Sequence, residues 1–317
     1  MKKVSNRSRK ILASLSLTVF TASSIFITPP TSEALTVSYS KPVEYTVTTY
    51  EQSTSNLNYQ PTTVEVDGRS YTNYTVTTSQ PPAKKPLPTE TNKASVETKT
   101  IAKGTKYATE LYIIKSGKPG PVVMIVGGVH GNEPAGYRAA EKFKNYKINK
   151  GTLLVLPQAN KLAIGADRRY ASGESDLNRL FPQSSSASPK NTLAKAIYDV
   201  VKEYKVDWLM DMHESVNYYK SNAKTNSVGQ TIIYYPANGT RSTVEYIVND
   251  LNKGISSSIQ KFSLLRYPVQ GSLARSSGQY LGVNSFIFET CRKQTLATRI
   301  SQQEKGAKSL LSKLGMI

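Results

Sequence analysis

From residue 122 onward the chain is punctuated by four short apolar runs, at 122–126, 153–156, 206–210 and 285–288. Each has the length of a strand, and the first two are stopped by Gly127-Gly128 and Pro157. Two helical patterns lie between them. Ala135, Ala139, Ala140 and Phe143 recur near helical spacing over 134–146, and Leu193, Ile197, Val200 and Val201 do so over 192–204. Strands that are apolar throughout must be covered on both faces. The expected fold class is therefore α/β, a single domain with a mixed, mainly parallel twisted sheet between helices. In such sheets ligands bind at the carboxyl ends of the strands, so the chemistry should lie there.

Polar clusters follow or close several of those runs. The run at 122–126 leads into Gly127-Gly128-Val129-His130-Gly131-Asn132-Glu133-Pro134, which places an imidazole in a glycine-rich turn and a carboxylate at a helix start. Both can reach one ion, and zinc accepts nitrogen and oxygen donors. Glycines on both sides free the backbone to fold around such an ion. The run at 206–210 leads into Asp211-Met212-His213-Glu214, where Asp211 can orient His213 from behind. The chain has only two histidines, and both stand just past apolar runs beside acids. A shared metal at His130, Glu133 and His213 is the expectation. Two neutral nitrogens and one carboxylate leave an open position, as in catalytic zinc sites.

Two further clusters complete the set. Asp176-Leu177-Asn178-Arg179-Leu180-Phe181-Pro182 follows Arg168-Arg169-Tyr170, and an arginine fork with an asparagine suits a carboxylate ligand. Phe286-Ile287-Phe288-Glu289-Thr290 puts a carboxylate at the end of an apolar strand. Poor solvation there raises its affinity for protons, which suits a general base beside an activated water. The competing reading is a structural ion pair between Glu289 and Arg292.

In this order, the motifs G-G-x-H-G-N-E-P, D-L-N-R-x-F-P, D-x-H and a late strand-end glutamate resemble the zinc carboxypeptidase superfamily. Within it they are most similar to the succinylglutamate desuccinylase/aspartoacylase branch, over about residues 99–298. The resemblance implies a zinc-carboxypeptidase-like domain with one Zn2+ on His130, Glu133 and His213. It implies Asn178 and Arg179 as the pair that binds a substrate carboxylate, Glu289 as the catalytic glutamate, and Arg169 as the group that polarises the scissile carbonyl. Tyr267 and Tyr280 are both candidates for a tyrosine entering the site. The substrate class so implied is a peptide or an N-acyl amino acid, cleaved at an amide beside a free carboxylate. The opposing reading is a surface-binding protein that keeps the fold without catalysis.

The amino-terminal third reads differently. Lys2, Lys3, Arg7, Arg9 and Lys10 precede an apolar run at 11–27, then Pro29-Pro30 and Ser32-Glu33-Ala34. That order is a secretory signal with cleavage expected after Ala34, so residues 1–34 are set aside as a signal peptide and no stable membrane insertion is expected afterwards. Residues 35–98 are rich in Thr, Ser and Tyr, and Tyr45-Thr46-Val47-Thr48-Thr49 recurs as Tyr74-Thr75-Val76-Thr77-Thr78. The repeat suggests a weak duplication or two strands, and Gln80-Pro81-Pro82 through Pro88 an extended linker. This segment is expected to be an extension, with a wall-binding module as the alternative. The α/β pattern sets in near Ser95, and the hydrolase domain is expected at 99–317.

Cys291 is the only cysteine, so no intramolecular disulfide can form. Secretion without disulfides suits a bacterial, Gram-positive exporter better than an ER product. The formal net charge of the chain is +19. Such a charge either keeps the protein soluble or draws it to an anionic cell-wall polymer. No nucleic-acid-binding motif accompanies it, and no nucleic-acid partner is expected.

Overall fold

The structure is a computed structural model that describes residues 57–66, 69–78, 93–218, 227–237 and 239–317. The chain divides into two units, Met1–Thr89 and Glu90–Ile317. In the first, β1 (Leu57–Val66) pairs antiparallel with β2 (Arg69–Thr78). The second copy of the Tyr-Thr-Val-Thr-Thr repeat lies on β2. The first copy, the signal segment and the Pro-rich linker lie outside the described residues.

The second unit is a three-layer α/β/α domain around an eight-stranded sheet. Its strands are β3 (Ser95–Ile101), β4 (Thr109–Lys115), β5 (Val122–Gly127), β6 (Thr152–Leu156), β7 (Trp208–Ser215), β8 (Thr231–Tyr234), β9 (Ser263–Arg266) and β10 (Asn284–Cys291). They are arranged in the order β3-β4-β6-β5-β7-β10-β8-β9. β6, β5, β7 and β10 are parallel neighbours, as are β8 and β9, whereas β3–β4, β4–β6 and β8–β10 pair antiparallel. The expected mixed, mainly parallel sheet is present. β3 begins ahead of residue 99, and its mostly exposed residues show why an edge strand carries no apolar signal.

Strand alternation divides the core in two. Met124, Val126, Leu209 and Ile287 pack on the face covered by α3 (Thr192–Glu203) and α5 (Leu273–Leu281). Val123, Ile125, Met210 and Phe288 pack on the other, under α1 (Pro134–Glu141), α4 (Thr240–Asn252) and α6 (Leu296–Lys313). A short α2 (Lys161–Gly165) follows β6. Side-chain caps start several helices: Asn191 accepts from the Ala194 amide, Ser272 from that of Arg275 and Thr295 from that of Thr298.

Three sequence expectations need adjusting. The α-helix at 134–146 ends at Glu141, and Phe143 and Tyr146 follow in turns closed by bonds to Ala140 and Phe143 carbonyls. The strand expected at 206–210 runs from Trp208 to Ser215, so His213 lies inside β7. Hydrogen bonding to β10 continues through Ser215, and that pairing overrides the polar composition. Glu289 likewise lies within β10 rather than at its end, for the same reason.

This topology also locates the site. From β5 the chain crosses to β6 on one side, and then to β7 on the other. The carboxyl ends of β5 and β7 therefore flank a switch point, where diverging connections leave a crevice.

Candidate active site

β5 ends at Gly127, and the turn after it carries His130 and Glu133 to the crevice. Gly131 is needed there for space: a Cβ on it would lie 1.9 Å from the Ala163 carbonyl oxygen. Its role is close packing on α2, rather than wrapping an ion. Glu133 occupies the N-cap position of α1, with Pro134 starting the helix, and its side chain makes no capping bond. The carboxylate turns to the histidines instead. On β7 the alternation that puts Leu209 into the α3 face also puts Asp211 and His213 on that side, past the apolar layer. On β10, Ile287 and Glu289 follow the same rule, and Glu289 stands in register with His213.

His130, Glu133 and His213 are 2, 4 and 2 % exposed. His130 Nδ1 is 2.8 Å from Glu133 Oε1, His213 Nδ1 is 2.8 Å from Glu133 Oε2, and the two Nδ1 atoms are 3.1 Å apart. The far ring nitrogens each face an aspartate. His130 Nε2 is 2.9 Å from Asp176 Oδ1, and His213 Nε2 is 3.1 Å from Asp211 Oδ2. The second pair is close without being aligned as a hydrogen bond, so its contact is electrostatic. Asp211 behind His213 was legible in the sequence. Asp176 behind His130 was not, because 46 residues separate them.

Charge decides what this centre wants. Burial works against protonation of His130, but Glu133 and the hydrogen bond that His130 donates to Asp176 hold its pKa above the usual histidine range. Burial opposes His213 in the same way, and Asp211 and Glu133 raise it well above that range. Burial likewise opposes ionisation of Glu133, yet the two imidazoles hold its carboxyl well below the usual range. Three carboxylates thus ask for positive charge around two ring nitrogens 3.1 Å apart. Two imidazolium ions that close repel each other. One divalent cation answers the same demand without that cost. Nitrogens about 2.0–2.1 Å from a tetrahedral zinc would sit roughly 3.3–3.4 Å apart, so the donor set fits a metal of that kind. Among the described residues, His130, Glu133 and His213 form the group whose ligand atoms all lie within 4.8 Å of one another.

The centre opens into a cleft of about 880 Å³ whose wall includes Glu289, Arg169, Asn178, Arg179 and Tyr267. Burial pushes the Glu289 carboxyl up to about 7, against the pull of His213. Arg292 does not pair with Glu289. It approaches Glu214, which removes the ion-pair reading of Glu289. Arg169 lies over the centre, bonded through Nε to Asp176 Oδ2 at 3.0 Å and 3.6 Å from Glu133. Asn178 is buried, with its backbone N–H donating to Asp176 and its Oδ1 accepting from the Leu273 backbone N–H, while half-exposed Arg179 reaches the Asn178 backbone carbonyl. Asp176 therefore ties His130, Arg169 and the 178–179 pair together. Of the two tyrosines, Tyr267 lines the cleft, with a left-handed backbone (φ 61°), and Tyr280 is not among the lining residues.

Fold and site together define an α/β domain with a candidate His–Glu–His metal centre. Residues 119–224 match the model of the succinylglutamate desuccinylase/aspartoacylase catalytic domain, and the family resemblance drawn from the motifs holds. Solved structures agree on the fold. Tripeptide-bound Csd4, a cell shape determinant of Helicobacter pylori, superposes with a TM-score of 0.56 at 19% identity, over 66% of this chain and 56% of that one. An aspartoacylase family protein from Mesorhizobium loti gives 0.52 at 20% identity, over 71% and 68%. A succinylglutamate desuccinylase/aspartoacylase from Rhodobacter sphaeroides gives 0.50 at 20%, over 71% and 66%. The chain thus spans a little over half the length of Csd4. No curated protein matches it in sequence.

Proposed function

We propose that this protein is a secreted, zinc-dependent hydrolase that cleaves an amide bond next to a free carboxylate. The carrying observation is that a three-donor metal centre, a carboxyl group poised near neutrality and an arginine–asparagine pair share one cleft. A bound zinc would supply Lewis-acid activation of water and of the scissile carbonyl. The chain's own residues do the rest. Arg179 and the Asn178 amide group hold the substrate carboxylate by charge-assisted hydrogen bonds. Arg169 faces the developing oxyanion, where one well-placed donor contributes about 3–4 kcal/mol. Glu289, ionised, takes the proton of the attacking water at its carboxylate oxygen and returns it to the leaving amine.

Peptides are the substrates we favour. A cleft near the upper end of the roughly 300–1,000 Å³ common for small-molecule sites leaves room on both sides of the scissile bond. The structural neighbour Csd4 is described as a D,L-carboxypeptidase and has been solved with a tripeptide. The signal-like residues 1–34 and the basic charge favour a cell-wall setting. N-acyl amino acid hydrolysis is the second reading, favoured by the family matched at 119–224. Zinc-loaded protein assayed in parallel on free-carboxylate peptides, their C-terminal amides and N-acyl amino acids tests the proposal. Turnover of the free-carboxylate peptides alone supports it. Turnover of none, with zinc bound, would favour a binding protein on this fold.

A further inference from the structure

Glu214 has no place in the reaction just described, yet it is among the most deeply committed charges in the molecule. It follows His213 on β7, and its side chain is fully buried. Arg299 of α6 donates to its Oε1, and Arg292, just past β10, brings Nε to 3.8 Å from its Oε2. Burying a carboxylate with two guanidinium groups is costly unless the geometry is good, so its partners are informative.

Both ends of this network close on Glu133. The amide of Glu214 donates to Glu133 Oε2 at 3.1 Å. The carbonyl of that same peptide group, on His213, accepts from Gln303 Nε2 of α6 at 2.8 Å, which aims the N–H at Glu133. From the other side Arg292 Nη2 donates to the Asn132 carbonyl, which belongs to the peptide bond joining Asn132 to Glu133. Glu133 is therefore held twice, once through its carboxylate and once through its own backbone. Arg292, Arg299 and Gln303 all lie beyond the family match at 119–224.

We propose that Arg292 is a positioning residue for the metal-facing carboxylate of Glu133, acting through Glu214 and the Asn132 carbonyl, with Arg299 as the second anchor of Glu214. Arg292 bonds the Asn132 carbonyl through Nη2 while its Nε edge faces Glu214 by charge alone at 3.8 Å, and the point charge of a lysine is not expected to serve both places. The inference rests on the metal reading of the centre.

Cobalt(II) titration of the metal-free, full-length protein tests it, read by visible absorption and by zinc competition, with thermal unfolding of the metal-free form alongside. Arg292→Lys is expected to weaken cobalt binding about 10–100-fold and to change the ligand-field bands, with the metal-free unfolding midpoint close to wild type. Wild-type affinity and bands in that variant overturn the proposal. So does an affinity loss matched by collapse of metal-free stability, which would make Arg292 merely structural. If Arg292→Lys does not fold, Arg299→Lys is decided by the same readings. A wild-type protein that takes no cobalt fails earlier, and overturns the metal centre along with this inference.

Discussion

His130 Nδ1 and His213 Nδ1 lie 3.1 Å apart although 83 residues separate them in the chain. Each ring presents its Nδ1 to Glu133 and its Nε2 to an aspartate, so carboxylate oxygens face both nitrogens of both rings. Two rings so aligned, with their carboxylate between them, are arranged to share one cation.

One zinc per chain is therefore expected. His213→Ala should weaken zinc by more than the roughly 10–100-fold typical of losing a supporting residue. Metal analysis after dialysis, with zinc competition for the variant, checks this. At a zinc concentration about 1,000 times the dissociation constant, the metal should add about 4 kcal/mol of stability, which a chelator removes.

Glu289→Gln should keep zinc and lose turnover, with kcat down about 100- to 10,000-fold. Steady-state kinetics on zinc-loaded protein decide it. Retained turnover in that variant would sink the assignment of Glu289 as base.

The same residue has a stability signature in the metal-free protein. Burial raises the Glu289 carboxyl to about 7 in the fold, above its unfolded value. The folded state then holds a proton that the unfolded state has released, so stability falls as pH rises from about 4.5 through about 7. Glu289→Gln removes that loss. Denaturation with chelator present should show the variant and wild type alike near pH 4, and the variant more stable by about 1–3 kcal/mol at pH 8. Equal stability at pH 8 would mean the carboxyl is not desolvated.

Arg179→Ala should cut kcat/KM about 10- to 100-fold, the cost of a charge-assisted hydrogen bond, mainly through KM. Amidating the substrate carboxylate should cost the wild type as much and the variant little. Independent, additive losses would show that Arg179 does not contact that group.

Asp176→Asn should act at two places at once. It weakens the hold on His130 and frees Arg169, so zinc affinity should fall about 10- to 100-fold and kcat should fall even with zinc restored. A variant fully rescued by added zinc would confine Asp176 to the histidine.

Much of this was legible because strands and their ends have a short-range code. The runs at 122–126 and 153–156 became β5 and β6 within a residue, since apolar strands buried on both faces leave an unbroken pattern. β3, β8 and β9 carry no such pattern: β3 and β9 are edge strands, and β8 is four residues long. Tyr267 and Tyr280 could not be separated by sequence, because which of them faces the cleft depends on how the chain turns after β9.

By itself the sequence determined the layered α/β class and pointed to His130, Glu133 and His213 as a candidate donor set and to the arginine–asparagine motif, because each depends on local alternation and residue chemistry. Only the tertiary structure decided that Asp176 stands behind His130, that Arg292 serves Glu214 rather than Glu289, and that Gly131 is there for α2. Those are contacts between segments far apart in the chain. Their partners are chosen by strand order and helix packing, which no local pattern of residues records.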